Sequence, residues 1–442
     1  MRNLRESFFI TNRFMTPNDT ICALATATGG AIVIIRLSGP KAIDITNRIF
    51  NKNLNEAQPN TIHFGRITDE EGEVVDEPLV SVFRAPHSYT GEDSTEISLH
   101  GSPYIAQRVL RLLLKHGARQ ALPGEFTQRA FINGKMDLSQ AEAVADLIAA
   151  SNQATHRIAI SQMRGRYSQR LKELRAKLLN LTTLLELELD FSEEDVEFAD
   201  RDELIQLTDV IDHEVTRLAE SFRQGNAIKN GVPVAIIGAP NVGKSTLLNA
   251  LLRDDRAIVS DIQGTTRDLI EDTITLRGIQ FRFIDTAGIR HTQDTIEQIG
   301  IERSLKAAQK AQIIILLTEP GIPYPDIPIQ EGQILIRREN KTASFQALTG
   351  QGLQQLENEL LAAVSPSDED ILVSNIRHYE ALREAQRHLC EVKQALEQKL
   401  PGDLVSPSLH AVLDDISNIT GEGRITSQET LNNLFGHFCI GK

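Results

Sequence analysis

No run of the sequence reaches about 18 consecutive apolar residues, so a membrane-spanning helix is not expected. Cysteine is scarce. Cys22, Cys390 and Cys439 are too few and too scattered for a disulfide framework or a zinc site, which fits a reducing cytoplasm. Positive charge is in the minority, with 46 Lys and Arg against 60 Asp and Glu and a formal net charge of −14. That balance argues against a broad nucleic-acid-binding face, though it leaves room for a local basic patch or for RNA brought by a partner. Residues 1–14 carry Arg2, Arg5, Glu6 and Arg13 but only a short Phe8-Phe9-Ile10 cluster, a poor signal peptide, and read as an extension.

What is present falls into three parts, as a chain of 442 residues leads one to expect. Strand patterns at 31–36, 61–67, 79–83 and 94–100 with a helix at 104–116 predict an α+β domain over 15–133. Gly and Pro then almost vanish. Leu171, Leu174, Leu178, Leu181 and Leu185 recur at helical spacing, Asp202–Lys229 continues as helix, and 370–400 and 408–438 are helical again. These blocks predict a discontinuous helical domain, 134–229 and 363–442, around an inserted α/β P-loop G domain at 230–362.

The insert carries three phosphate-handling motifs in order: Gly238-Ala-Pro-Asn-Val-Gly-Lys244-Ser245, Gly264-Thr-Thr-Arg-Asp268 and Asp285-Thr-Ala-Gly288. The first lies between a buried-strand pattern, Val232–Ile237, and a helical one, Ser245–Leu252, the context such a loop requires. Asn241, Val242, Gly243, Lys244, Ser245 and Thr246 would cradle a triphosphate, with Lys244 supplying charge and Ser245 an oxygen for Mg²⁺. Thr265 and Thr266 lie in a polar loop that can close over the γ-phosphate, Thr266 being the better Mg²⁺ ligand. Asp285 sits at a strand end within water-mediated reach of Mg²⁺, followed by Thr286, Ala287 and Gly288.

Two departures stand out. The glutamine that positions water in Ras-type enzymes is replaced by Ile289, leaving Arg290, His291, Gln293, Asp294 and Glu297 as candidates. The guanine-selecting Asn-Lys-x-Asp is matched only by Asn340-Lys341-Thr342-Ala343, which follows Arg337-Arg-Glu339 rather than the apolar strand 334–336 directly. It lies close to Ala347-Leu-Thr-Gly350, so a shortened base-recognition region with weaker affinity or guanine selectivity is expected.

Four further segments carry a resemblance: Arg36-Leu-Ser-Gly-Pro40; Ser88-Tyr-Thr-Gly-Glu-Asp93 running to His100-Gly101; Pro123-Gly-Glu-Phe-Thr127 with Arg129-Ala-Phe-Ile-Asn-Gly-Lys135; and the terminal Phe438-Cys-Ile-Gly-Lys442. With the insert, they make the chain resemble the MnmE (TrmE) family of tRNA-modification GTPases over almost all of its length after Met15. The resemblance implies a site for a tetrahydrofolate derivative (5-formyl- or methylene-tetrahydrofolate) at Arg36, Glu96, Lys135 and Lys442, with Cys439 a possible participant. It implies K⁺ held by Asn241, Ser260, Ile262 and Thr265, and Glu297 orienting the attacking water. Catalysis would then rest on Glu297, Lys244 and Thr266. It also implies a homodimer, a heterotetramer with the flavin-dependent MnmG (GidA), and GTP hydrolysis coupled to aminomethyl or carboxymethylaminomethyl addition at C5 of the wobble uridine of certain tRNAs. A weakly turning-over G-domain scaffold and a ribosome-assembly GTPase are the rival readings.

Overall fold

The computed structural model describes residues 19–190, 201–254, 272–284, 305–364 and 371–422, together with 431, 434–436, 438 and 441; the side chains of 187–190 and 253–254 are not described. The chain divides into two compact units, Met1–Ala145 with Thr420–Lys442, and Asp146–Ile419.

The first unit is built on a six-stranded sheet of order β3-β6-β7-β2-β1-β8. Its strands are β1 (Ile21–Leu24), β2 (Ile32–Ser38), β3 (Thr61–Phe64), β6 (Leu79–Phe83), β7 (Ser94–His100) and β8 (Arg119–Gln120), with β4 (Ile67–Thr68) and β5 (Val74–Asp76) forming a separate two-stranded sheet. The stretch read as one strand over 61–67 is therefore two, with Gly65 between them. Side chains alternate as a one-sided sheet requires. Val33, Ile35, Leu37, Ile97 and Leu99 face a core shared with the helices α1 (Ala42–Ile49) and α2 (Pro103–Lys115). Ile34, Arg36, Glu96 and Ser98 are half-buried at intervening positions. α3 (Glu125–Ile132) follows, then α4 (Leu138–Ala149), whose Leu138 and Ala141 pack with Leu431 and Phe435 near the C-terminus.

In the second unit, α5 (Gln153–Met163) starts from a capping box in which Asn152 Oδ1 accepts from the Thr155 backbone N–H at 2.9 Å. α6 (Arg166–Asp190) and α7 (Arg201–Asn230) pack with α10 (Ile376–Glu397) and α11 (Gly402–Thr420). The leucine stripe at 171, 174, 178, 181 and 185 is wholly buried against Ile211, Val215, Leu389 and Ile416. Each such leucine contributes about 2 kcal/mol relative to an exposed one. The helix expected from 408 begins earlier, at Gly402, accommodating Pro407 within it, and runs to Thr420; Leu431, Leu434 and Phe435 are helical again.

Between α7 and α10 lies a five-stranded sheet of order β10-β11-β9-β12-β13: β9 (Val232–Ile237), β10 (Asp272–Leu276), β11 (Ile279–Phe283), β12 (Ile313–Thr318) and β13 (Ile334–Glu339). β10 and β11 form an antiparallel hairpin over Arg277-Gly278, both with positive φ, and the other pairings are parallel. β9 and β12 are central, which explains their near-continuous apolar sequences. α8 (Lys244–Asp254) and α9 (Leu353–Ala362) share a core with the sheet through Leu247, Leu251, Leu356 and Leu360. The crossover from β12 to β13, residues 319–333, is proline-rich and has no helix, unlike most parallel connections. Among the described residues, no helix is long and apolar enough to cross a membrane.

Candidate functional site

The phosphate loop leaves the C-terminal end of β9 and enters α8. Gly238 must be glycine because a Cβ there would lie 2.1 Å from the Leu317 carbonyl oxygen of β12. Gly243 has φ +95°, and a Cβ on it would meet Asn340 Nδ2 at 2.5 Å. Asn241, at the loop tip, is exposed and also has positive φ, 66°. Val242 is buried and anchors the loop in the sheet core. Lys244 Nζ donates to the Gly238 and Ala239 carbonyls, both at 2.8 Å, so the ammonium sits on the loop it would serve. Burial holds its pKa below the usual lysine value. Ser245 and Thr246 are half-buried in the first turn of α8, where backbone N–H groups and the helix dipole favour an anion. This loop and the helix start behind it fit a phosphate group.

The base-side loop corrects one expectation. β13 does not stop at Ile336: Arg337, Arg338 and Glu339 continue it, paired with Leu316, Leu317 and Thr318. Backbone hydrogen bonding sustains the strand whatever its side chains, and Arg338 is accommodated by an ion pair to Glu359 of α9 at 2.6 Å. Asn340 therefore follows the strand directly. Its side chain donates to the Val242 carbonyl at 3.0 Å and accepts from the Ala347 N–H at 3.0 Å. Lys341, at φ 59°, ion-pairs with Glu319 at 2.8 Å.

Ser260, Ile262, Thr265, Thr266, Asp285, Thr286, Ala287, Gly288, Arg290, His291, Gln293, Asp294 and Glu297 lie outside the described residues, as do Cys439 and Lys442.

In the first unit, Arg36 and Glu96 are direct cross-strand partners on β2 and β7, in the middle of the sheet rather than at its edge. Arg36 Nε donates to Glu96 Oε1 at 2.9 Å. The guanidinium lies 5.3 Å from the Tyr89 ring centroid and 5.7 Å from that of Phe126, and its Nη1 donates to the Gly441 carbonyl at 3.3 Å. With side-chain exposures of 19% and 25%, the pair is partly open to solvent, while the Phe126 ring beneath Arg36 is fully buried. Lys135 is anchored to the Pro86 carbonyl at 2.9 Å.

Sequence reasoning missed the ionic network below this pair. Arg129, only 8% exposed, reaches Asp19 at 2.5 Å, Glu125 at 3.1 Å and Glu92 at 3.2 Å, while Arg119 binds Asp19 and Glu125. Burial pushes the Asp19 carboxyl up, but the two guanidiniums outweigh it and hold the pKa below the usual value. Two of the recognisable motifs thus contribute scaffold through Glu92 and Arg129. The only signal was the pair of opposite charges at helix spacing, Glu125 and Arg129, in one short helix.

Residues 20–135 match the family described as "GTP-binding protein TrmE N-terminus", and residues 138–439 match "MnmE helical domain". The chain is 52% identical over 465 aligned positions to the "tRNA modification GTPase MnmE" of Bacteroides fragilis (strain YCH46), covering 96% of this chain and 99% of that one. It is 49% identical to the protein of the same name from Parabacteroides distasonis (96% and 100% covered) and 47% identical to that of Flavobacterium johnsoniae (97% and 100% covered). These alignments exceed the chain in length, so the relatives carry residues that it lacks. With likeness of this degree along nearly its whole length, the chain belongs to the MnmE family.

Proposed function

We propose that this protein is a GTP-hydrolysing enzyme of tRNA modification. The observation that carries the reading is the phosphate loop: Lys244 at the start of α8, with the loop tied by Asn340 to the base-side segment. The names of its relatives support the coupling to tRNA. On binding the triphosphate, Lys244 exchanges the Gly238 and Ala239 carbonyls for β- and γ-phosphate oxygens, and the N-terminus of α8 supplies N–H groups. Ser245 and Thr266 would hold Mg²⁺, with Asp285 supporting it, and Asn241, Ser260, Ile262 and Thr265 would hold K⁺. Cations held there would supply positive charge to the developing transition state, as an arginine finger does elsewhere. Glu297 orients the attacking water in place of the absent glutamine.

Arg36, Glu96, Lys135 and Lys442 bind the tetrahydrofolate derivative. Glu96 offers a carboxylate to the N3–H and 2-amino group of a pterin, a pairing that its partial exposure supports. The protein acts in the cytoplasm as a homodimer assembled with MnmG into a heterotetramer. It contributes to aminomethyl or carboxymethylaminomethyl addition at C5 of the wobble uridine, with much of the basic tRNA surface on the partner.

Nucleoside analysis of tRNA from cells lacking the protein tests the role. Loss of the C5 modification is expected, and an unchanged wobble uridine would refute it.

A further inference from the structure

Taking the proposed nucleotide site as given, we infer that it keeps the half of its base-recognition loop that positions a purine and has lost the half that reads the guanine 2-amino group. Asn340 is 5% exposed and fully engaged: its Nδ2 donates to Val242 O and its Oδ1 accepts from Ala347 N–H. It fixes the phosphate loop and the base-side segment against each other. Lys341 is held over the end of β12 by Glu319. From there the chain closes at once into a tight turn, in which the Thr342 N–H donates to Phe345 O at 3.1 Å and Thr342 Oγ1 donates to Glu339 O at 3.0 Å.

Ala343 is exposed within that turn, and its carbonyl accepts a hydrogen bond from Gln351 Nε2 at 2.5 Å. Its methyl group cannot accept the N1–H and 2-amino protons that distinguish guanine. Glu319, the carboxylate at the end of the neighbouring strand, is spent on Lys341. Guanine and hypoxanthine differ only in the 2-amino group, so the site takes the triphosphates of both alike.

The loss should be measurable, because hydrogen bonds to a charged acceptor carry about 1.5–3 kcal/mol, roughly 10- to 150-fold in affinity. The test is competition by GTP, ITP and ATP against a fluorescent GTP analogue on the full-length protein with Mg²⁺. The expected result is GTP and ITP within about threefold of each other. Ala343→Asp should strengthen ITP through N1–H and GTP through both N1–H and the 2-amino group, restoring at least about a tenfold preference for GTP over ITP. A wild-type preference for GTP above tenfold would overturn the inference, and its collapse in Glu319→Gln would assign the reading to Glu319 instead. If Ala343→Asp does not fold, the wild-type ratio still decides. Binding of no triphosphate at all would strike the phosphate-loop reading, which separates the two failures.

Discussion

The side chain of Asn340 donates to the main-chain carbonyl of Val242 at 3.0 Å, joining the end of β13 to the phosphate loop across nearly one hundred residues of sequence. The same side chain accepts from Ala347, so one buried amide sets the spacing between phosphate and base recognition.

Asn340→Ala leaves the Val242 carbonyl and the Ala347 N–H unpaired. A loss of about 1–3 kcal/mol in stability is expected, with weaker binding of all purine triphosphates alike. Chemical denaturation and nucleotide titration of the same variant check both parts, and an unchanged GTP affinity would show that the tie is dispensable.

Lys244→Met removes the ammonium that sits on the Gly238 and Ala239 carbonyls. GTP affinity should fall at least about tenfold, with turnover abolished and the melting temperature little changed. Calorimetric titration and a phosphate-release assay measure these.

Glu297→Ala should retain GTP binding and lose most K⁺-stimulated hydrolysis. Steady-state turnover in K⁺ and in Na⁺ compares the two, and equal K⁺ stimulation in wild type and variant would remove Glu297 from the mechanism.

Glu96→Gln should weaken binding of 5-formyl-tetrahydrofolate by about 10- to 100-fold while GTP turnover persists. Because the Arg36–Glu96 pair is partly solvated, its loss should cost no more than about 1 kcal/mol of stability. Intact folate binding would move the site elsewhere.

Asp19 predicts an acid limb in stability. Its carboxyl pKa is depressed in the folded state by Arg119 and Arg129, so its contribution is present above the unfolded value of about 3.9 and is lost as pH falls through the folded one. Asp19→Asn should be less stable than wild type at pH 7, with the gap narrowing below about pH 4. Urea denaturation at several pH values reads the difference, and a pH-independent gap would point to lost packing instead.

Local pattern made much of this protein legible. Alternation in 94–100 and the leucine stripe of 171–185 each depend on a single period, so strand, helix and buried face follow from local residue order alone. The phosphate loop was equally readable because its glycines, lysine and serine are contiguous. Arg337–Glu339 misled because its charges imitate a loop, whereas the strand is sustained by pairing with β12, a neighbour that sequence does not reveal.

The sequence by itself determined the element types, the family and the absence of a carboxylate at Ala343. Tertiary structure decided what joins what. Arg36 meets Glu96, sixty residues away, because β2 and β7 are adjacent in the sheet. Arg129 and Glu92 become a buried scaffold only once Asp19 and Arg119 close around them. Asn340 becomes the hinge-pin of the nucleotide loop because parallel strands bring the ends of β9, β12 and β13 to one edge of the sheet. Such contacts depend on long-range strand order, which local periodicity does not encode.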